Sequence, residues 1–188
     1  MIKYEVLYKE VKEILSERRF KHSKGVVERA LEYAKICGLE EENVKLVAIA
    51  HDIAKELTEE ENQKYINLYN IQLDETEKMN KKLIHAKVGA YICKNKYNFT
   101  EEMADAVRYH TTGRENMTMI EKVIYLADAT EKNRNYDMEP YVETIKKDIN
   151  KGIVDVSKWV INKLVEKEDV IHLDTIKCYN YYLNKEEC

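Results

Sequence analysis

The stretch VKLVAIAHDIAKEL, residues 44–57, decides how this chain is read. Between Val44 and Ala50 only Lys45 is not apolar, which suits a helix surrounded by other helices, and a helix over residues 41–54 is expected. His51 and Asp52 then interrupt that run, placing an imidazole and a carboxylate where a core should be. A buried carboxylate is costly unless it is paired or bound to a metal. The aspartate in Leu126-Ala127-Asp128-Ala129 repeats the pattern on a second apolar helix. A divalent cation held by imidazole nitrogens and carboxylate oxygens would neutralise both aspartates and lower the pKa of a bound water. Two helix-facing salt bridges are the plainer alternative.

Outward from this stretch, helical spacing continues in both directions. Tyr4, Leu7, Val11, Ile14 and Leu15 form one stripe, followed by a basic break over residues 16–21. A second helix is expected from an N-cap at Ser23 to a C-terminal glycine at Gly38. Thr58 and Glu61 have capping-box spacing and open a charged helix to about residue 69, with a loop over 70–78 and a helix over 79–94. Thr100 caps a helix over 101–109, and Thr118 with Glu121 makes a second capping box before the apolar helix that carries Asp128. Pro140 opens a long helix pair over 141–166, bent near Gly152, and a last helix follows Asp174. Five glycines and one proline in 188 residues are too few for the turns of a many-stranded sandwich or barrel. Without an internal repeat or a composition shift, the expectation is one all-α domain over residues 1–188.

Lys plus Arg number 31 against 35 Asp plus Glu, so the formal charge is −4 and no net positive field draws the chain to nucleic acid or a membrane surface. Cys37, Cys93, Cys178 and Cys188 are scattered without a C-x-x-C pair, which argues against a thiolate zinc cluster and for reduced thiols in a cytoplasm. The first residues alternate charge with apolar side chains and lack the apolar run of a signal peptide, so no export is expected. Fourteen tyrosines against two phenylalanines suit half-buried positions with polar tips, and Trp159 is expected in the core.

His22, His51, His85 and His110 each fall at or near the end of an expected helix. In order along the chain, His22, His51-Asp52, His85, His110 and Asp128 resemble the HD-domain metal-dependent phosphohydrolases, a helical bundle whose signature is His, then His-Asp, then a distant Asp. The strings HSKGVVERALEYA (22–34), AHDIAKEL (50–57), IHAKVGAYI (84–92), YHTTGRENMTMIEKVIYLADATEKNR (109–134) and VIHLDTIKCYN (170–180) narrow that resemblance. They are similar to the YqeK-type symmetrical diadenosine tetraphosphate hydrolases of bacteria. His172 is followed here by Leu173 where that family would have proline.

The resemblance implies hydrolysis of a dinucleoside polyphosphate at an inner phosphate to give two ADP, with hydroxide on the metal as nucleophile. His22, His51, Asp52 and Asp128 match the metal ligands. Adjacent helical residues point about 100 degrees apart, so His51 and Asp52 reach one ion from a helix flank and Asp52 stays free to bridge a second. His85 and His110 would bind that second ion or, with one ion only, hydrogen-bond phosphate oxygens. Iron is the metal the resemblance favours, while manganese, cobalt and zinc suit nitrogen and oxygen ligands equally. Lys55, one turn beyond His51, can bring positive charge to the phosphates, and Arg134 matches a family arginine that could fork onto one. Thr111 could present a hydroxyl, Tyr109 a face to adenine, and Thr175 a contact that closes the nucleotide pocket. Other nucleotide chemistry on the same fold remains open, as a pyrophosphatase or a cyclic-nucleotide phosphodiesterase, as does a nucleotide sensor without turnover. For assembly, a homodimer is the general expectation.

Overall fold

The interior is organised around α3 (Glu41–Ala50), in which Val44, Leu46, Val47, Ala48, Ile49 and Ala50 are fully buried. In the computed structural model, which describes residues 2–133 and 136–185, α3 is packed against α1 (Tyr4–Ile14), α2 (Glu17–Cys37), α7 (Glu101–Arg108) and α8 (Met119–Thr130). Such a helix has no polar face to give to solvent, which is why its centre is almost wholly apolar. Outside this bundle, α4 (Glu59–Leu68) packs on α6 (Ile84–Tyr97), and α6 on α7. The short α5 (Glu75–Met79) leads into α6. The C-terminal helices α9 (Glu139–Lys147), α10 (Ile149–Glu166) and α11 (Leu173–Lys185) form a layer in which α10 reaches α8. The fold is all-α, and no strand occurs among the described residues.

Several boundaries differ from the sequence expectation. The basic segment over 16–21 is no break but the first turn of α2, whose N-cap is Ser16 and not Ser23. The Ser16 hydroxyl accepts from the Arg19 amide at 3.3 Å, while its own amide and hydroxyl donate to Glu56 at 2.7 Å. Three cations at a helix N-terminus run against the macrodipole, and this cap together with Glu56 holds the turn in place. Gly38 closes α2 in the left-handed conformation with φ 67°, as expected. α3 stops at Ala50; beyond it the amides of Ile53, Lys55 and Leu57 bond three residues back, a tighter winding than the helix expected to residue 54. The loop expected over 70–78 contains α5, which Asp74 and Glu77 open with a reciprocal capping box. The helix expected over 79–94 starts later, after a turn at Lys81–Leu83.

The joint between α9 and α10 falls at Asp148, whose carboxylate accepts from the amides of Asn150 and Lys151, and not at Gly152. Gly152 serves close packing instead: a Cβ there would stand 2.4 Å from Ile145 Cγ1 and 3.1 Å from its Cα. Trp159 is only half-buried, with its ring against Tyr136. The buried tyrosines show why hydroxyl-bearing rings are favoured here. Tyr33 meets the Thr130 hydroxyl at 2.8 Å, Tyr97 donates to Glu10 at 2.9 Å, and the Tyr182 oxygen accepts from the Met117 amide at 2.9 Å. Cys37, Cys93 and Cys178 are free thiols, and Cys188 lies outside the described residues.

One buried anion ties the outer elements together. Glu77, fully buried, accepts from Arg108 at 2.6 Å, from Lys87 and from the Asp74 amide at 2.9 Å. Asp74 in turn meets His172 Nε2 at 2.8 Å, so α5, α6, α7 and the segment before α11 share one network. Removing one partner of a buried pair leaves the others uncompensated. Glu77→Ala is expected to lower unfolding stability by about 3 kcal/mol, read as a fall in the denaturant midpoint. A wild-type midpoint would show that the network contributes nothing.

Candidate metal centre

Five helical elements deliver their polar side chains to one point. His22 comes from α2, His51 and Asp52 from the tight winding after α3, His85 from α6, His110 from the turn after α7, and Asp128 from α8. His51, Asp52, His85 and His110 are at most 3% exposed. Around Asp52 Oδ2 stand His51 Nε2 at 3.5 Å and His22 Nε2 at 3.7 Å, and Asp128 Oδ1 lies 3.0 Å from His22 Nε2. Around Asp52 Oδ1 stand His85 Nε2 at 3.2 Å and His110 Nε2 at 3.5 Å. The two oxygens of one carboxylate therefore face two different pairs of imidazoles.

The rings are fixed by a repeated device. His51 Nδ1 lies 2.7 Å from the Ala48 carbonyl, His85 Nδ1 2.6 Å from the Lys82 carbonyl, and His110 Nδ1 2.7 Å from the Val107 carbonyl, each three residues back. A carbonyl only accepts, so each Nδ1 carries the proton and each Nε2 presents a lone pair. For His22 the same task falls to Glu131, whose Oε1 lies 3.2 Å from Nδ1. As a result Nε2 atoms meet at 3.3 Å between His22 and His51, and at 3.3 Å between His85 and His110, with no proton to share. Asp52 Oδ1 is buried without a hydrogen-bond partner. Lone pairs that converge on an orphaned carboxylate oxygen are what a cation satisfies. Ligands bound to one ion at about 2.1 Å stand about 3.0–3.5 Å apart, and most of the separations here fall in that range, with His22 to Asp52 Oδ2 slightly longer at 3.7 Å. The donor set of nitrogen and oxygen without sulfur fits a divalent metal, and His22, His51 and Asp128 form one group that could hold it. His51, Asp52 and His110 form another.

Electrostatics point the same way. Burial pushes the imidazoles of His51 and His85 down, His85 to about 4, so both are neutral near pH 7 and available as ligands. Burial alone would raise the Asp52 carboxyl; positive charge and donated hydrogen bonds from the surrounding rings when protonated, His51 foremost, outweigh that and hold it well below its usual range, a role that falls to a cation when the rings are neutral. Burial likewise opposes the charge on Glu131, yet its bonds to His22 and Asn133 keep it a carboxylate.

Of the other residues singled out in the sequence, Lys55 reaches the centre, with Nζ 3.2 Å from His85 Nε2 and 4.0 Å from Asp52 Oδ1. Glu59, four residues further on, pairs with Lys81. Thr111 Oγ1 lies 3.1 Å from His110 Nε2. Tyr109 does not join the cluster. Its ring lies against the guanidinium groups of Arg108 and Arg114 and faces a separate cleft with Lys87 and Tyr91, because neighbouring residues on a turn diverge. Thr175 is buried at the start of α11, its amide bonded to the His172 carbonyl. Arg134 lies outside the described residues. Two residues were not singled out by the sequence. Arg19 donates to Asp52 Oδ2 at 2.8 Å, and Glu131 orients His22. The i, i+3 spacing of Arg19 and His22 on one helix face was the available signal for the first.

A helical bundle that aims four imidazoles and two carboxylates at one point defines the metal-dependent phosphohydrolase class. The HD domain family model matches residues 19–133, and the chain belongs to that family. It is 37% identical over 175 residues to the symmetrical bis(5'-nucleosyl)-tetraphosphatase of Halalkalibacterium halodurans, covering 92% of this chain and 93% of that one. It is 35% identical over 179 residues to the protein of the same name from Bacillus subtilis, covering 93% and 94%. Its fold is also similar to the crystal structure of a Clostridium acetobutylicum protein described as a predicted HD superfamily hydrolase involved in NAD metabolism. That likeness has a TM-score of 0.92 at 28% identity, over 98% of this chain and 99% of that one.

Because Glu131 fixes the His22 ring from behind, Glu131→Gln should weaken metal affinity about 10- to 100-fold while leaving the fold intact. Elemental analysis and competition with a chelator would measure this. Unchanged affinity would remove Glu131 from the site.

Proposed function

We propose that this chain hydrolyses a dinucleoside tetraphosphate symmetrically, cutting diadenosine tetraphosphate at an inner phosphate to yield two ADP. The observation that carries the hydrolytic part is the two-sided placement of Asp52, one oxygen toward His22 and His51 and the other toward His85 and His110. The choice of substrate is supported by the likeness, over almost the whole chain, to relatives that bear that name.

His22, His51, Asp52 and Asp128 are the residues to hold a first cation, and His85 and His110 with the other Asp52 oxygen a second. Cations held there would lower the pKa of a bound water and polarise phosphoryl oxygens, the chemistry that cleavage of a phosphoanhydride by water requires. Water adds its oxygen to one inner phosphorus and gives up a proton to solvent, the bond from that phosphorus to the central bridging oxygen breaks, and the released diphosphate takes that oxygen with its electron pair. Lys55 stands beside His85 and Asp52, where its charge can stabilise the leaving diphosphate as negative charge develops. The Thr111 hydroxyl, adjacent to His110, can donate to a phosphate oxygen. Iron is the metal we favour within this reading. A cytoplasmic location belongs to the same proposal, and no described helix is long and apolar enough to cross a membrane.

Product analysis tests the reaction. Metal-loaded protein should convert diadenosine tetraphosphate to ADP alone, and ATP plus AMP would refute symmetrical cleavage. Asp52→Ala should lose metal and turnover together, since it deletes the carboxylate both half-sites use. Lys55→Ala should keep its metal and lose about 100-fold in kcat. Retained wild-type kcat in that variant would exclude Lys55 from the reaction.

A further inference from the structure

The charge pattern at the start of α2 is unusual for this chain. Arg18, Arg19 and Lys21 occupy a helix N-terminus, where the macrodipole disfavours cations, in a protein whose formal charge is −4. They line a cleft of about 410 Å³ together with His22, Glu131 and Tyr136. That volume lies in the range of about 300–1,000 Å³ typical of small-molecule sites. His22 and Glu131 belong to the metal centre, so the cleft opens directly onto it.

Arg19 links the two. One of its terminal nitrogens holds Asp52 Oδ2 at 2.8 Å, while its Nε is buried without a hydrogen-bond partner. A buried donor left unsatisfied is destabilising, so an arginine placed this way is set to receive an anion. A planar guanidinium that already grips a carboxylate on one edge has another edge for a phosphate. At the other wall Tyr136 is 47% exposed, and its ring is steadied edge-on by Trp159, with centroids 5.4 Å apart and planes at 70°. An exposed aromatic ring braced within reach of a cationic row is a platform on which a base can stack.

We infer that this cleft seats one nucleoside-diphosphate arm of the substrate, with Arg19 on the phosphate nearest the reacting centre, Arg18 and Lys21 along the chain, and Tyr136 stacked on the base. The inference rests on the reaction proposed above and assigns positions to the substrate that the metal ligands alone do not.

Trp159 supplies a direct readout, since it is the chain's sole tryptophan and touches Tyr136. Titrating metal-loaded protein with ADP should change Trp159 emission saturably. Tyr136→Leu, whose ring contact is with Trp159, should weaken ADP about tenfold in a displacement titration and raise KM for diadenosine tetraphosphate by a similar factor while retaining metal. Arg19→Gln should weaken ADP at least as much, with metal content followed in parallel. If ADP leaves the emission unchanged, or Tyr136→Leu keeps both constants within twofold of wild type while two ADP are still formed, the cleft assignment is wrong and the reaction stands. If Tyr136→Leu weakens ADP but the wild-type enzyme does not yield two ADP, the cleft assignment stands and the reaction is wrong.

Discussion

A carboxylate buried among imidazoles is the constraint around which this molecule is arranged. Asp52 sits 2% exposed just beyond the apolar C-terminal half of α3, where an isolated anion is strongly disfavoured. Most elements near it carry something that answers that charge, while α8 adds a second anion, Asp128. Arg19 approaches from α2, Lys55 from one turn further along, and four rings close the remaining directions. Yet one of its oxygens is left without a hydrogen bond. The protein surrounds the anion without fully satisfying it, and that residual demand is one a cation could meet.

The same logic governs the histidines. A ring at the end of a helix finds, three residues back, a carbonyl to receive its Nδ1 proton, and three of the four rings use this. The helix end thus fixes both the tautomer and the direction of the ligand atom without help from other chains of hydrogen bonds. Only His22, which lies inside α2 and has no such end, needs a separate carboxylate, and Glu131 provides it. Nearby, Gly25 leaves the room that Glu131 requires: a Cβ there would stand 2.3 Å from its Oε2.

How much of this was legible depended on whether a residue broke a local rule. His51, Asp52 and Asp128 stood out because they interrupt apolar runs, and the surrounding helices were visible as periodic stripes and capping boxes. Arg19 was hidden because a cluster of cations looks like a helix break, and its value comes from a carboxylate 33 positions away. Glu131 was hidden for a similar reason, since nothing in its neighbours indicates that it will stand behind a ring on another helix. α5 escaped because five residues are too few to show a period. Tyr109 was correctly placed beside a site residue in sequence but turned elsewhere in space, for adjacency along a turn is separation around it.

The change of winding after Ala50 has an effect of its own. In a regular α-helix, side chains three positions apart are offset by about 60 degrees, whereas with bonding three residues back they eclipse. Asp52 and Lys55 are joined by such a bond, the Lys55 amide to the Asp52 carbonyl at 2.9 Å. The anion and the cation are thereby set on one face of the same turn, and the contact of Lys55 with His85 on another helix completes the placement of the charge.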